Sequence, residues 1–132
     1  MGCNMSKYDP RNGKSTIKSE RPWGDIHMVV RNQCCSVDLT HVRPGQRASL
    51  HSHNFRYELF HFLDGGAHLE IDGKIYRPEA HDEFLIEPHM KHRFWAEDND
   101  FKMLVVCFGE WTVEDQTRHE DDYGRKGKKL EI

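Results

Sequence analysis

Apolar and polar positions alternate over short stretches along most of this chain, and turn residues separate the stretches. β-rich runs occupy 23–30, 36–42, 60–63, 68–71, 84–86, 92–96 and 102–108. Between them stand Pro44-Gly45, Asp64-Gly65-Gly66, Asp72-Gly73 and Asp98-Asn99-Asp100. Short strands at near-even spacing with such punctuation predict an all-β barrel or sandwich. Ile71-Asp72-Gly73-Lys74-Ile75 predicts a hairpin, because Asp-Gly supplies the two positive-φ positions of a type I′ turn. No stretch of ten or more residues carries a helical apolar stripe, and only 112–119 has the makings of one or two helical turns. Residues 1–21 are polar, carry Lys7, Arg11, Lys14 and Lys18, and lack periodicity. The expected organisation is a flexible arm over 1–21, a β-barrel over 22–111, and a charged C-terminal segment over 112–132 packing at or near the barrel mouth.

Size and charge narrow the classes. A chain of 132 residues holds one domain with one core. Lys plus Arg is 19 and Asp plus Glu is 22, a formal net charge of -3. That leaves no basic excess for a phosphate backbone, so nucleic acid is excluded as the main partner. The longest clean apolar run, 103–108, falls far short of the roughly 20 residues that cross a bilayer. No apolar leader opens the sequence, so a cytoplasmic chain is expected. Cys3, Cys34, Cys35 and Cys107 form neither a disulfide framework nor a C-x-x-C zinc site, which fits a reducing compartment. Residues 1–6 fit the M-G-x-x-x-S acylation pattern, a short pattern that arises by chance.

Histidine changes the picture. There are 10, and His51, His53, His61, His68, His81, His89 and His92 fall between positions 51 and 92. Within that cluster runs G-x5-H-x-H-x4-E-x6-G, from Gly45 through His51, His53 and Glu58 to Gly65. Two histidines two apart on a strand point to one face, so their imidazoles converge on one ion. Glu58 opens the next strand and adds a carboxylate, and Phe60 and Phe62 then point inward with it. His92, after the turn at 88–91, is the best candidate for a fourth ligand. Three imidazoles and one carboxylate suit zinc best, and also iron, manganese, nickel, cobalt or copper.

This pattern resembles the first signature motif of the cupin superfamily, and residues 82–93 resemble the second. Histidine stands at 81 and 89 where that family usually has glycine. The resemblance implies a small antiparallel jelly-roll barrel with the metal inside. A closer similarity extends over about 20–125. Glu20-Arg21-Pro22-Trp23-Gly24, Val42-Arg43-Pro44-Gly45-Gln46-Arg47, Asn54-Phe55-Arg56-Tyr57-Glu58 and the closing run from Arg118 to Arg125 resemble the cupin domain of type II mannose-6-phosphate isomerases. That resemblance implies a metal-dependent aldose–ketose isomerase working on a sugar phosphate. It implies Arg56, Arg118 and Arg125 in phosphate or substrate handling, with Arg56 catalytic and Arg118 and Arg125 as substrate ligands. Glu58 is the candidate catalytic base beside the metal, a dual role resembling that in cupin-type phosphoglucose isomerases. The resemblance to cupins of this size implies a homodimer. Lys91 is a further substrate-binding candidate, set by position at the barrel mouth. Two positions depart from the pattern: His51 stands where those isomerases commonly have glutamine, and Leu59 where they have histidine. The same ligand set also serves cupin dioxygenases and non-catalytic metal- or sugar-binding cupins.

Overall fold

The computed structural model describes residues 17–30, 35–108, 112 and 114–128. Its strands are β1 (Ile17–Arg21), β2 (Gly24–Val30), β3 (Cys35–Val42), β4 (Leu50–Ser52), β5 (Tyr57–Phe62), β6 (Ala67–Ile71), β7 (Lys74–Tyr76), β8 (Glu83–Ile86), β9 (His92–Ala96), β10 (Phe101–Phe108) and β11 (Thr117–Glu120). The described residues contain no helix. Six strands form one antiparallel sheet in the order β1-β2-β3-β10-β5-β8, and five form a second in the order β11-β4-β9-β6-β7. The two sheets close on one core: the all-β architecture that the alternation predicted, in the small antiparallel jelly roll that the resemblance implied.

Alternation builds that core. On β10, Phe101, Met103, Val105 and Cys107 point inward, and on β5 Phe60 and Phe62 do. From the opposite sheet come Ala67, Leu69, Phe94 and Ala96. Phe60 meets Phe94 edge-on at 5.9 Å between ring centroids, and Phe62 lies 5.9 Å from Phe101. Edge-to-face pairs of this kind add to the area they bury. Strand β3 reverses the rule. Ahead of the buried Val42 its inward residues are Ser36, Asp38 and Thr40, while Val37 and Leu39 face outward.

The Asp72-Gly73 hairpin forms as its residues require. Both positions have positive φ, 48° and 85°, and β6 pairs with β7 through Ile71 and Lys74. His81 and His89 also sit in the left-handed region, at φ 73° and 71°. These are the two places where glycine was displaced, so the turns keep a glycine-like backbone at the cost of strain. The turn at 88–91 therefore still delivers His92 to the start of β9.

Two sequence expectations change. Within 112–119, the helical turns give way to β11 over 117–120, because Arg118 pairs with His51 across the edge of the second sheet. Long-range pairing overrides a weak local preference in so short a segment. The expected arm also ends early: residues 17–21 are β1, paired with β2 from Ile17–Met28 to Arg21–Gly24. Residues 1–16, with the acylation pattern, lie outside the described residues.

Candidate metal centre

β4 carries His51, and His53 follows immediately after it. β5 brings Glu58, and β9 opens with His92, which pairs with His51 in the sheet. One ligand atom from each of these four residues lies within 4.8 Å of all the others. The Glu58 Oε1 atom is 2.9 Å from His53 Nε2 and 3.1 Å from His92 Nε2. His92 has no exposed surface, and His53 and Glu58 are nearly as buried.

The outer nitrogens of the three rings are already committed. His51 Nδ1 lies 2.9 Å from the Ser49 carbonyl, His92 Nδ1 2.9 Å from the Met90 carbonyl, and His53 Nδ1 2.8 Å from the Asp115 carbonyl. A carbonyl only accepts, so each Nδ1 carries the proton and donates it. Each Nε2 lone pair is then left for an ion, the tautomer that metal-binding histidines use. Donor type, tautomer and burial all fit a divalent metal, with zinc the simplest match to four N/O donors.

Electrostatics agree. Burial, then the neighbouring His92 and His53 rings, holds the His51 imidazole well below its ordinary range, so it is neutral at pH 7. Burial opposes the charged form of Glu58. The neighbouring His53 ring and then the Arg56 guanidinium outweigh it and hold the carboxyl well below its ordinary range, so the group is an anion. Arg56 Nη2 is 3.0 and 3.3 Å from the two ring nitrogens of His53, and both can be reached at once only from above the ring plane. The guanidinium therefore covers that ring while its charge serves Glu58. On the other side, the buried Cys107 thiol donates to Glu58 Oε2 at 3.5 Å. Burial, then Glu58, pushes that thiol well up, so it stays protonated.

The cavity beside the quartet is lined by His51, His53 and Glu58, and by Arg56, Arg118 and Arg125. Lys91 is exposed and is not part of that lining. Sequence reasoning missed Asp115. It is 4 % exposed, its carbonyl orients His53, and its carboxylate accepts from the backbone N–H groups of Asn54 and Phe55 at 2.9 and 3.3 Å. Nothing in the run Glu114-Asp115-Gln116 distinguishes it from a solvated acid. Cys107 carried a signal only in hindsight, as a lone inward cysteine directly opposite Glu58 in the ladder.

Among the described residues, no helix is long and apolar enough to cross a membrane. Over 58 residues, 44% of this chain, the sequence is 32% identical to polyketide synthase CurC of Streptomyces cyaneus, and the match spans 38% of that protein's length. KdgF from Halomonas sp. superposes with a TM-score of 0.66 at 16% identity, covering 72% of this chain and 87% of that one. Pac13, a nucleoside dehydratase, superposes at 0.71 with 10% identity, covering 89% and 92%. At these identities the structural likeness speaks for the fold. Residues 38–108 match the family described as "Cupin domain". That span makes up more than half of the chain and contains all four members of the quartet, so the chain belongs to the cupin family.

Proposed function

We propose that this chain is a metal-dependent sugar-phosphate isomerase of the mannose 6-phosphate/fructose 6-phosphate type. One observation carries the reading: His51, His53 and Glu58 share a cavity with Arg56, Arg118 and Arg125. Such a cavity suits a ligand with oxygens at one end and an anion at the other. An aldose and a ketose interconvert when a proton leaves the carbon beside the carbonyl, giving an enediolate.

His51, His53, Glu58 and His92 would hold the ion. When bound, it supplies Lewis-acid stabilisation of the enediolate oxygens, worth several kcal/mol in general. The Glu58 carboxylate accepts the proton and returns it to the neighbouring carbon. Arg56, lying over His53, stabilises negative charge next to Glu58. Arg118 takes the phosphate, several carbons away, and Arg125, whose own fork is held by Asp121, adds positive charge beside it. Binding energy at that end orients the reacting end.

The same reading takes the chain as a homodimer. Its support is the outer face of the six-stranded sheet. There Val37, Leu39, Leu59 and Val106 face outward beside the exposed Tyr57, Leu85 and Phe108. Contiguous apolar surface of that kind marks an interaction face.

A second reading, an iron-dependent cupin dioxygenase, is favoured by the rest of the lining. Trp23, Ile26, Phe60, Phe94 and Val105 give the cavity an apolar wall that suits a less hydroxylated substrate. The test loads the protein separately with zinc, cobalt, manganese and nickel and follows mannose 6-phosphate and fructose 6-phosphate. Interconversion with at least one metal is expected. No turnover with any of them, together with oxygen uptake by the iron-loaded protein, overturns the isomerase reading in favour of the second.

A further inference from the structure

We propose that the seam between the two sheets is an anion site in which Arg21, together with Arg118 and Gln116, holds the phosphate or carboxylate of the bound molecule. This rests on reading the metal cavity as a substrate site, and not on isomerase chemistry.

Topology brings the groups together. β1 ends one edge of the six-stranded sheet, and β11 ends one edge of the five-stranded sheet. Arg21 is the last residue of β1 and Arg118 the second of β11. They are 8% and 9% exposed, and both line the cavity that reaches His51 and Glu58. Each terminal strand thus delivers one buried cation to the same space, and Gln116 adds a neutral donor from the approach to β11.

Charge says what the space takes. The lining holds four arginines, Arg21, Arg56, Arg118 and Arg125, against the single carboxylate of Glu58. Arg125 is matched by a forked pair with Asp121 at 2.8 and 2.9 Å. Arg56 is matched by Glu58. Among the described residues Arg118 donates to carbonyl oxygens, those of Lys128 at 2.9 Å and Arg125 at 3.4 Å. Its Nε is buried with no hydrogen-bond partner among the described residues. A buried guanidinium with an unmet donor is costly, and an arriving anion supplies the missing acceptor.

Arg21 is also unusually well fixed. Arg43 donates from Nη2 to the carbonyls of Arg21 and Pro22 at 3.1 and 2.8 Å, and from its backbone N–H to Trp23. Trp23 stands edge-on to Phe94 at 5.5 Å. Gly24 passes so close to β3 that a Cβ there would sit 1.9 Å from the His41 carbonyl oxygen. These restraints fix the backbone of the turn from which Arg21 reaches the cavity wall, part of the preorganisation a binding site needs.

The test titrates the full chain, as purified and with its metal content measured, with inorganic phosphate and, in a parallel arm, acetate. Saturable phosphate binding is expected, and acetate competing for it would assign carboxylates to the same site. Arg21→Gln and Arg118→Gln each weaken phosphate binding about tenfold or more, as loss of a charged hydrogen bond does, with metal content unchanged. Arg21→Lys, which keeps the charge and loses the fork, falls between wild type and Arg21→Gln, and it stands alone if the glutamine variant does not fold. Phosphate affinity within twofold of wild type in the Arg21 variants overturns the proposal. So does a wild type that binds neither anion. Anion binding without sugar-phosphate turnover removes the isomerase reading and leaves this site standing.

Discussion

The two ends of the barrel interior are built from the same strands and do opposite work. Along β5 the inward residues run Glu58, Phe60, Phe62; along β9 they run His92, Phe94, Ala96; along β10 they run Cys107, Val105, Met103, Phe101. At each first position stands a group that meets the metal quartet, and at each last position a side chain of the apolar core. A single residue of strand, Leu59, separates the buried Glu58 carboxylate from the buried Phe60 ring. The packed end supplies the stability that lets the polar end keep three imidazoles and a carboxylate together out of water, which no isolated hairpin could hold.

Breaking the packed end gives the largest effect on stability. Phe62 has no exposed surface and touches Phe60, Phe84 and Phe101. Phe62→Ala lowers unfolding free energy by about 3–5 kcal/mol in urea denaturation. One metal still binds per folded chain below the transition.

Breaking the support of the polar end moves the other readout. Asp115→Ala removes the two backbone caps at Asn54 and Phe55 and loosens the carbonyl that orients His53. Metal affinity, measured by competition with a chelator, falls roughly 10- to 100-fold, as losses of outer-shell partners do. Asp115→Asn keeps one acceptor and recovers part of it. The d–d bands of the cobalt-loaded variant shift with the ligand geometry, a change that lowered stability alone does not produce.

The comparison also separates what the sequence made legible from what it hid. The packed end follows period-two alternation, so Phe60 and Phe62 were readable as inward residues. The ligand spacing His51-x-His53-x4-Glu58 was readable because strand geometry places such residues on one face. Arg56, Arg118 and Arg125 were placed by motif similarity alone. β1 was harder: its inward residues Ser19 and Arg21 are polar, so the pattern read it as part of an arm, whereas β3 was legible as a run over 36–42 although Ser36, Asp38 and Thr40 face inward. β11 and Asp115 depend on pairing across more than 60 residues of chain, and no local signal encodes that.

Smaller effects sharpen the account at its margins. His89 is exposed and carries φ 71°. His89→Gly relieves that strain but frees the unfolded chain, so thermal denaturation shows a gain of no more than about 1 kcal/mol. The C-terminal segment is docked partly by Asp122, whose carboxyl is held below its ordinary range first by the hydrogen bond from Arg47. A lowered carboxyl contributes stability above its unfolded value of 3.8, and that contribution is lost as pH falls through the folded value. The pair is exposed, so the loss is the roughly 0.2–1 kcal/mol usual for such pairs. Asp122→Asn flattens that part of the profile, below the unfolded value of 3.8, read from denaturant midpoints.

The central claim is that one divalent cation is held jointly by His51, His53, Glu58 and His92. The most direct test is calorimetric titration of chelator-treated protein with zinc, on wild type and on Glu58→Gln and His92→Ala. The account predicts one saturable site per chain in wild type and its loss, or a weakening of at least about a hundredfold, in both variants. Wild type without a saturable site, or variants that bind zinc as wild type does, would contradict it.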